Sequence, residues 1–317
     1  MARIAKSNLR GALFSLAAFG VYATHDAVVK HLGAGYAPFQ TIFFSTLLGF
    51  PLVTFMLMRD KTDGNLRPKH PWWVAVRTFG AVLNVVAGFY AFTVLPLAQA
   101  YAVFFAMPLI ITLLSIPILG EKVGLHRGLA VVAGLVGVLI VLQPGSAPMG
   151  LGQLSALAAA FTGAFVSIIV RKIGTDERSA TLMLYPMTAN FLVMGALLPF
   201  VYRPMPVGDF GLLALMSCLG FTGGILIIAA YRTAPAIIVA PMQYSQILWA
   251  TLYGYLFFDE MPELTTAIGT LVIIASGIYI VLREGTPKVS ENRPVLESRS
   301  RAEIGVYPRI SSLLRRR

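Results

Sequence analysis

Ten long apolar stretches, separated by short polar breaks, decide what this chain can fold into. They cover 11–29, 38–58, 73–94, 98–119, 128–143, 151–170, 181–201, 211–230, 236–257 and 264–282. A helix rises about 1.5 Å per residue, so about 20 apolar residues cross the hydrocarbon of a bilayer. The runs are continuous rather than alternating, which excludes a transmembrane barrel. Gly20, Pro108, Pro117, Gly195 and Pro241 fall inside runs. They do not argue against helix, because neighbouring helices satisfy the backbone groups they free. Only 12% of residues are charged, about half the level of soluble globular chains. That rules out an ordinary cytosolic enzyme, a disordered protein and a coiled coil. One cysteine, Cys218, excludes an intramolecular disulfide framework and a cysteine-rich metal site. The expected fold class is an all-α integral membrane protein with ten transmembrane helices.

The first run follows Arg3, Lys6 and Arg10 and imitates a secretory leader, but nine further spans argue for a retained membrane helix. Basic residues fix the orientation. With the N-terminus inside, all but three of the 25 lysines and arginines fall on inside segments; Lys30 and Arg203 lie outside, and Arg77 within the third span. Both termini are then cytoplasmic. The net charge of +11 follows this topology and not one continuous face, so no nucleic-acid partner is expected. Residues 286–317 are polar and basic and read as a disordered cytoplasmic tail. Arg315, Arg316 and Arg317 within it suit anionic lipid headgroups.

The two halves resemble each other. GALFSLAA (11–18) aligns with GQLSALAA (152–159), and KHLG (30–33) with RKIG (171–174). LPLAQAYA onward (95–121) aligns with APAIIVAP onward (234–260), pairing Pro96 with Pro235 and Glu121 with Glu260. Five spans per half make the second copy enter the membrane upside down, as in alternating-access transporters with a midplane site between the halves. The expected units are 8–145 and 150–285, followed by the tail.

AQAYAVFFAMPLIITLLSIPILGE in the fourth span and PAIIVAPMQYSQILWATLYGYLFFDEMP in the ninth resemble the EamA domains of the drug/metabolite transporter superfamily. The resemblance covers about residues 8–285. It implies a secondary carrier of small organic molecules in the bacterial inner membrane, with no covalent cofactor. Among the subgroups, the chain looks most like bacterial uptake carriers for metabolites, riboflavin carriers among them. The second copy departs from the pattern: Ile247 stands where the first has Pro108, and Asp259 where it has Gly120. The fourth and ninth helices are therefore not expected to bend alike.

Ionisable residues inside a membrane are costly and are functional candidates by default. The first span carries His25, Asp26 and Lys30, the last two one helical turn apart on one face. In one reading His25 or Asp26 faces the cavity and changes protonation or partner during transport. In the other, Lys30 snorkels to the outer surface and pairs with Asp26 only to fix the helix. Arg77 follows the interfacial Trp72 and Trp73. It reads as a residue snorkelling to phosphates or capping a neighbouring helix, or else as a gate or an anion contact.

Tyr101, Phe104, Phe105 and Pro108 share one face of the fourth span, and Met242, Gln246, Trp249 and Tyr253 one face of the ninth. Asn84, Phe89 and Tyr90 of the third span extend the wall. Rings with a few amides and hydroxyls suit a flat, mostly uncharged ring system; the same stripes also suit plain helix packing. In Gln243–Tyr244–Ser245–Gln246, four consecutive polar-capable side chains cannot all face lipid, so part of the cluster lines water or substrate. The substrate-binding candidates are Tyr90, Tyr101, Phe105, Gln243, Tyr244, Gln246 and Trp249; the coupling or gating candidates are His25, Asp26, Lys30 and Arg77.

Glu121 and Glu260 read as interfacial carboxylates that cap or pair across helices, with a gate role as the alternative. Gly220 and Gly224, and the Ala130/Gly134 and Ala133/Gly137 rows, allow close helix approach, and with it a homodimer through the fifth or tenth span. There is no P-loop, no metal-binding spacing among the four dispersed histidines and no nucleophile elbow. The expected function is secondary transport of a small organic metabolite, foremost uptake of riboflavin or a similar aromatic compound. Export of amino acids or drugs is the alternative; a membrane enzyme and a channel-like or structural membrane protein are the other readings.

Overall fold

Each apolar run folds as helix, and two of them are interrupted. The computed structural model describes residues 2–58, 66–120, 123–143, 149–173, 176–234 and 236–284, and the regular structure among them is entirely helical. Glu121, Gly174, Pro235 and the basic tail lie outside the described residues. The first three spans are α1 (Ala2–Gly33), α2 (Pro38–Met58) and α3 (Pro71–Val94). The fourth is α4 (Leu97–Phe104) and α5 (Met107–Leu119), and the fifth is α6 (Leu125–Leu142). Then come α7 (Leu151–Ile173), α8 (Ser179–Val201) and α9 (Val207–Thr233). The ninth span is α10 (Ala236–Val239), a 3₁₀ helix over Ala240–Ser245 and α11 (Gln246–Phe258); α12 (Leu264–Glu284) is the last. Seven segments are long and apolar enough to cross a membrane, counting α4 and α5 as one; Pro38–Thr54 and Gly128–Leu142 are shorter apolar helices.

The fourth and ninth helices, expected not to bend alike, are both interrupted, and the interruptions differ in kind. In the fourth, a turn at Phe105–Ala106 separates the two pieces, and Pro108 sits in the first turn of α5. Proline has no N–H and its ring crowds the carbonyl four residues back, so Pro108 favours a break just before it. In the ninth, Pro241 opens the 3₁₀ segment. The register that pairs Pro96 with Pro235 sets 240–245 against 101–106, so both helices are broken at the same level, one by a turn and one by a 3₁₀ helix. They also end alike. Gly120 (φ 71°) and its mate Asp259 (φ 54°) are both left-handed; aspartate is among the few non-glycine residues that visit this region routinely.

The packing is exchanged by swapping the halves. α1 packs on α9 and α7 packs on α3; α5 packs on α7 and α11 on α1; α2 pairs with α8 and α6 with α12. The ends of the helices show the inversion. The C-terminus of α1, the C-terminus of α11 and the start of α4 meet at Lys30, Glu260 and Leu97. The C-terminus of α7 meets the start of α3 and the end of α5, where Lys172 lies over the Trp73 ring and donates to the Ile118 carbonyl. Because α3 runs from the second group to the first, α1 and its mate α7 point in opposite directions.

Small residues make the close contacts inside the chain. A Cβ at Gly137 would lie 2.9 Å from the Gly269 carbonyl, and one at Gly269 2.6 Å from that of Gly137. The α6 row expected to support a homodimer thus meets α12 of its own chain. In α9, Gly223 lies against the Tyr22 ring.

Arg77 is half-buried and donates to the Leu182 carbonyl of α8. Within α8 the natural partner of that carbonyl is the N–H four residues on, and residue 186 is proline. Arg77 fills an acceptor that Pro186 leaves open, which is neither snorkelling nor an end cap. Loss of a hydrogen bond from a charged donor costs about 1.5–3 kcal/mol. Arg77→Met is expected to lower the melting temperature of the detergent-solubilised protein, and to lower it much less in a Pro186→Ala background, where the backbone bond is restored. Equal losses in the two backgrounds would show that Arg77 acts elsewhere.

Candidate functional site

The site is located by a symmetry argument. The register that pairs Glu121 with Glu260 also pairs Phe105 with Tyr244. A residue in contact with its own repeat mate lies on the axis that relates the halves. The two rings do touch, edge to face, with centroids 5.1 Å apart and planes at 78°. Both sit at the helix breaks and both are buried. The centre of the molecule is therefore an aromatic contact between two discontinuous helices, a position where freed backbone groups and side chains converge.

Further rings surround it on the α4 side. Tyr101 lies 6.1 Å from Phe105, and Phe92 lies 5.3 Å from Tyr101 and 5.2 Å from Phe104. Phe92 of α3 carries no sequence signal that sets it apart, and like Phe89 it is fully buried. Tyr244 is held from behind by α12, whose Gly277 lies against its hydroxyl.

A chain of polar side chains reaches this cluster from α1. Asp26 is fully buried. It accepts a hydrogen bond from the Tyr101 hydroxyl and lies 2.7 Å from His25 Nδ1. Gln246 Nε2 donates to the Tyr101 oxygen at 3.2 Å. Tyr101 of α4 thus meets a carboxylate on α1, and Gln246 of α11 reaches it only through the Tyr101 hydroxyl. A buried carboxylate is tolerated only where its lone pairs are satisfied in this way. The second half has no such group: the register that pairs Lys30 with Arg171 sets Ser167 against Asp26 and Val166 against His25. The fold is two-fold in its packing and one-sided in its chemistry.

Lys30 corrects the expected partnership on α1. Its ammonium pairs with Glu260 at 2.8 Å, donates to the Leu95 carbonyl at 2.6 Å and lies 5.3 Å from the Phe258 ring centre. Glu260 in turn accepts from the Leu97 N–H at 3.1 Å. The expected Asp26–Lys30 pair gives way to two separate groups, each tying α1 to α4 and α11. Sequence spacing showed that the two charges share a face; it does not show which neighbouring helix supplies a better partner.

The other candidates divide. Trp249 packs its indole against Gly20 and pairs with Tyr253, whose hydroxyl lies 3.0 Å from Thr24 Oγ1. These two brace α11 on α1, outside the ring cluster of the centre. Gln243 is half-buried in the 3₁₀ segment, beside the axis pair in sequence. Tyr90 is half-buried on α3, and no ring contact joins it to the central cluster. Asn84 donates to the Ala159 carbonyl at 2.6 Å, a bond between α3 and α7 and not part of a wall. Away from the axis, a cavity of about 350 Å³ at the Lys30 end is lined by His31, Tyr36, Arg203 and Asp209. There the Tyr36 hydroxyl donates to Asp209, which holds its proton above the ordinary phenol range. Among the described residues, no three His, Cys, Asp or Glu side chains are grouped to hold a metal ion.

Each half of the chain is matched by comparison with known proteins. Residues 9–143 and, separately, residues 150–283 match the EamA-like transporter family. The chain belongs to the EamA-like transporter family. This EamA-like transporter is 24% identical over 283 residues to the S-adenosylmethionine uptake transporter of Rickettsia prowazekii, covering 88% of this chain and 95% of that protein. It is 28% identical over 280 residues to the riboflavin transporter of Vibrio cholerae, covering 86% and 93%. It is 26% identical over 271 residues to the pseudopaline exporter CntI of Pseudomonas aeruginosa, covering 84% and 94%. A crystal structure 20% identical in sequence aligns with a TM-score of 0.55 over 86% of this chain and 95% of the other, a likeness of fold.

Proposed function

We propose that this EamA-like transporter is a secondary carrier for the uptake of a flat aromatic metabolite, with riboflavin as the leading candidate. It works by alternating access: the two five-helix halves rock about the Phe105–Tyr244 contact, and the site between them opens to each side of the membrane in turn. The observation that carries this reading is the axis itself, where aromatic faces lie next to hydrogen-bonding groups on one edge, Tyr101, Gln246 and Asp26. A planar heterocycle inserted between Phe105 and Tyr244 replaces their mutual contact with two stacking contacts, each of about 0.5–1.5 kcal/mol. Its ring-edge amides find the Tyr101 and Gln246 groups. The orientation follows the basic residues, with the Lys30 end outside, both termini cytoplasmic and the chain in the inner membrane of a bacterium. Relatives named for riboflavin and for S-adenosylmethionine support a ring-bearing substrate. A second reading within the same class is S-adenosylmethionine, whose positive charge suits the Asp26 carboxylate.

Growth rescue decides the first reading. A riboflavin auxotroph expressing the chain is expected to grow at external vitamin concentrations that fail to support the parent strain. Phe105→Ala is expected to reduce labelled riboflavin counterflow in proteoliposomes about tenfold, from stacking and packing lost together. No rescue with the protein present in the membrane removes riboflavin. Saturable counterflow of S-adenosylmethionine by the same vesicles would then establish the second reading.

A further inference from the structure

The charges on α1 are distributed so that one of them has two places to go. Lys30 is 8% exposed, and each of its partners belongs to the outer mouth. Leu95 precedes α4, and Glu260 and Phe258 stand at the end of α11. Through the Leu97 N–H, Glu260 also holds the first turn of α4. This one carboxylate clamps the ends of α1, α4 and α11 together. The outer mouth cannot open by a movement of α11 away from α1 without separating Lys30 from Glu260. A lysine left in the apolar mouth without a counter-charge is strongly disfavoured. Four residues earlier, on the same face of α1, stands Asp26. A lysine side chain is long and flexible enough to turn back over one helical turn.

Building on the carrier reading above, we propose that Lys30 is a partner-exchanging gate residue. It is paired with Glu260 while the outer mouth is closed and with Asp26 while it is open. The exchange gives the Lys30 ammonium a counter-charge in both states, and the carboxylate released on opening is Glu260, which stands at the mouth where water reaches it. It also connects the mouth to the site. When Lys30 occupies Asp26, the Tyr101 hydroxyl loses its acceptor, and Tyr101 and Gln246 turn their hydrogen bonds to the incoming substrate. Closure reverses the exchange: Glu260 recaptures Lys30, and Asp26 takes back Tyr101 over an occupied site. The first half alone carries Asp26, which makes this a device of the outer mouth only.

The test reads accessibility and not transport, so its failure leaves the carrier reading standing. Ala98, buried and three residues before Tyr101 on the same face of α4, is replaced by cysteine in a Cys218→Ala chain. Intact cells are treated with a membrane-impermeant maleimide. Glu260→Gln is expected to raise labelling about fivefold, because the closed-state partner is lost. Adding Asp26→Asn is expected to lower it again about fivefold, because the open-state partner is lost too. With Lys30→Met also present, Asp26→Asn is expected to leave labelling unchanged. Unfolding would raise labelling, so a fall on adding Asp26→Asn is not produced by a damaged protein. If Asp26→Asn leaves the Glu260→Gln labelling unchanged or raises it while Lys30 is present, the exchange does not occur, and Lys30 is solvated in the open mouth instead.

Discussion

Asp26→Ala is expected to lower the initial rate of substrate uptake about 100-fold with the protein still folded and in the membrane. The variant leaves the Tyr101 hydroxyl without its acceptor and leaves His25 Nδ1 without the oxygen 2.7 Å away. Removing one member of a buried charged network typically costs about 3 kcal/mol or more, and each 1.4 kcal/mol is about a factor of ten. The loss falls on the chain that joins α1, α4 and α11 beside the axis pair, so it is felt as misplacement of the site and not as general destabilisation. Asp26→Asn keeps the shape and removes the charge. Its uptake measured across external pH separates a coupling role from a positioning one: a flattened profile assigns Asp26 to coupling. An unchanged rate with an unchanged profile removes Asp26 from the mechanism.

Gly277→Ala is expected to reduce uptake at least about tenfold, although residue 277 lies on α12, behind the site. A Cβ there would stand 1.8 Å from the Tyr244 hydroxyl and 2.9 Å from the ring carbon that bears it. Tyr244 has little room to yield, since its ring is held edge-on by Phe105 at 5.1 Å. The added methyl therefore pushes the ring along the axis into the space between the halves, with an overpacking cost of about 1–3 kcal/mol. Tyr244→Phe removes the atom that collides, and the double variant is expected to recover most of the lost rate. If Tyr244→Phe fails to rescue, the collision is not what impairs Gly277→Ala, and α12 does not set the position of the axis pair.

Both predictions rest on features of unequal legibility in the sequence. The membrane class and the ten apolar runs follow from hydropathy alone, because a helix must satisfy its own backbone in lipid and needs a fixed length to cross it. The duplication was readable from short matches such as Pro96 with Pro235. The helix breaks were only half readable. Pro108 announces one, but Ile247 in the matching position hid the other, which comes from Pro241 one turn and a half earlier. The change from Gly120 to Asp259 looked like a structural difference and is none, since both residues take the same left-handed ending.

The candidate site shows the same division. Tyr101, Phe105, Tyr244, Gln246 and Asp26 were each nameable from residue type and helical spacing, and the structure brings them together. Trp249 and Asn84 passed the same test and take other partners, because a helical face has room for several neighbours and spacing does not say which one it meets. The Phe105–Tyr244 contact had a signal that the repeat register could have given: mates that lie on the symmetry axis must touch. Phe92 and Gly277 carried no comparable signal. One is an aromatic among 20 phenylalanines, the other one glycine among 29, and each matters only through what lies across from it.

The amino-acid order by itself determined the bilayer environment, the doubled plan and the set of ionisable groups that the apolar interior has to accommodate. Those properties are written in composition and in periods along one chain. Only the tertiary structure decided that Lys30 goes to Glu260 and Asp26 to Tyr101. Partner choice among buried charges depends on which groups are brought within about 3 Å, and residues far apart in the chain, 75 positions for Asp26 and Tyr101, settle that distance by packing.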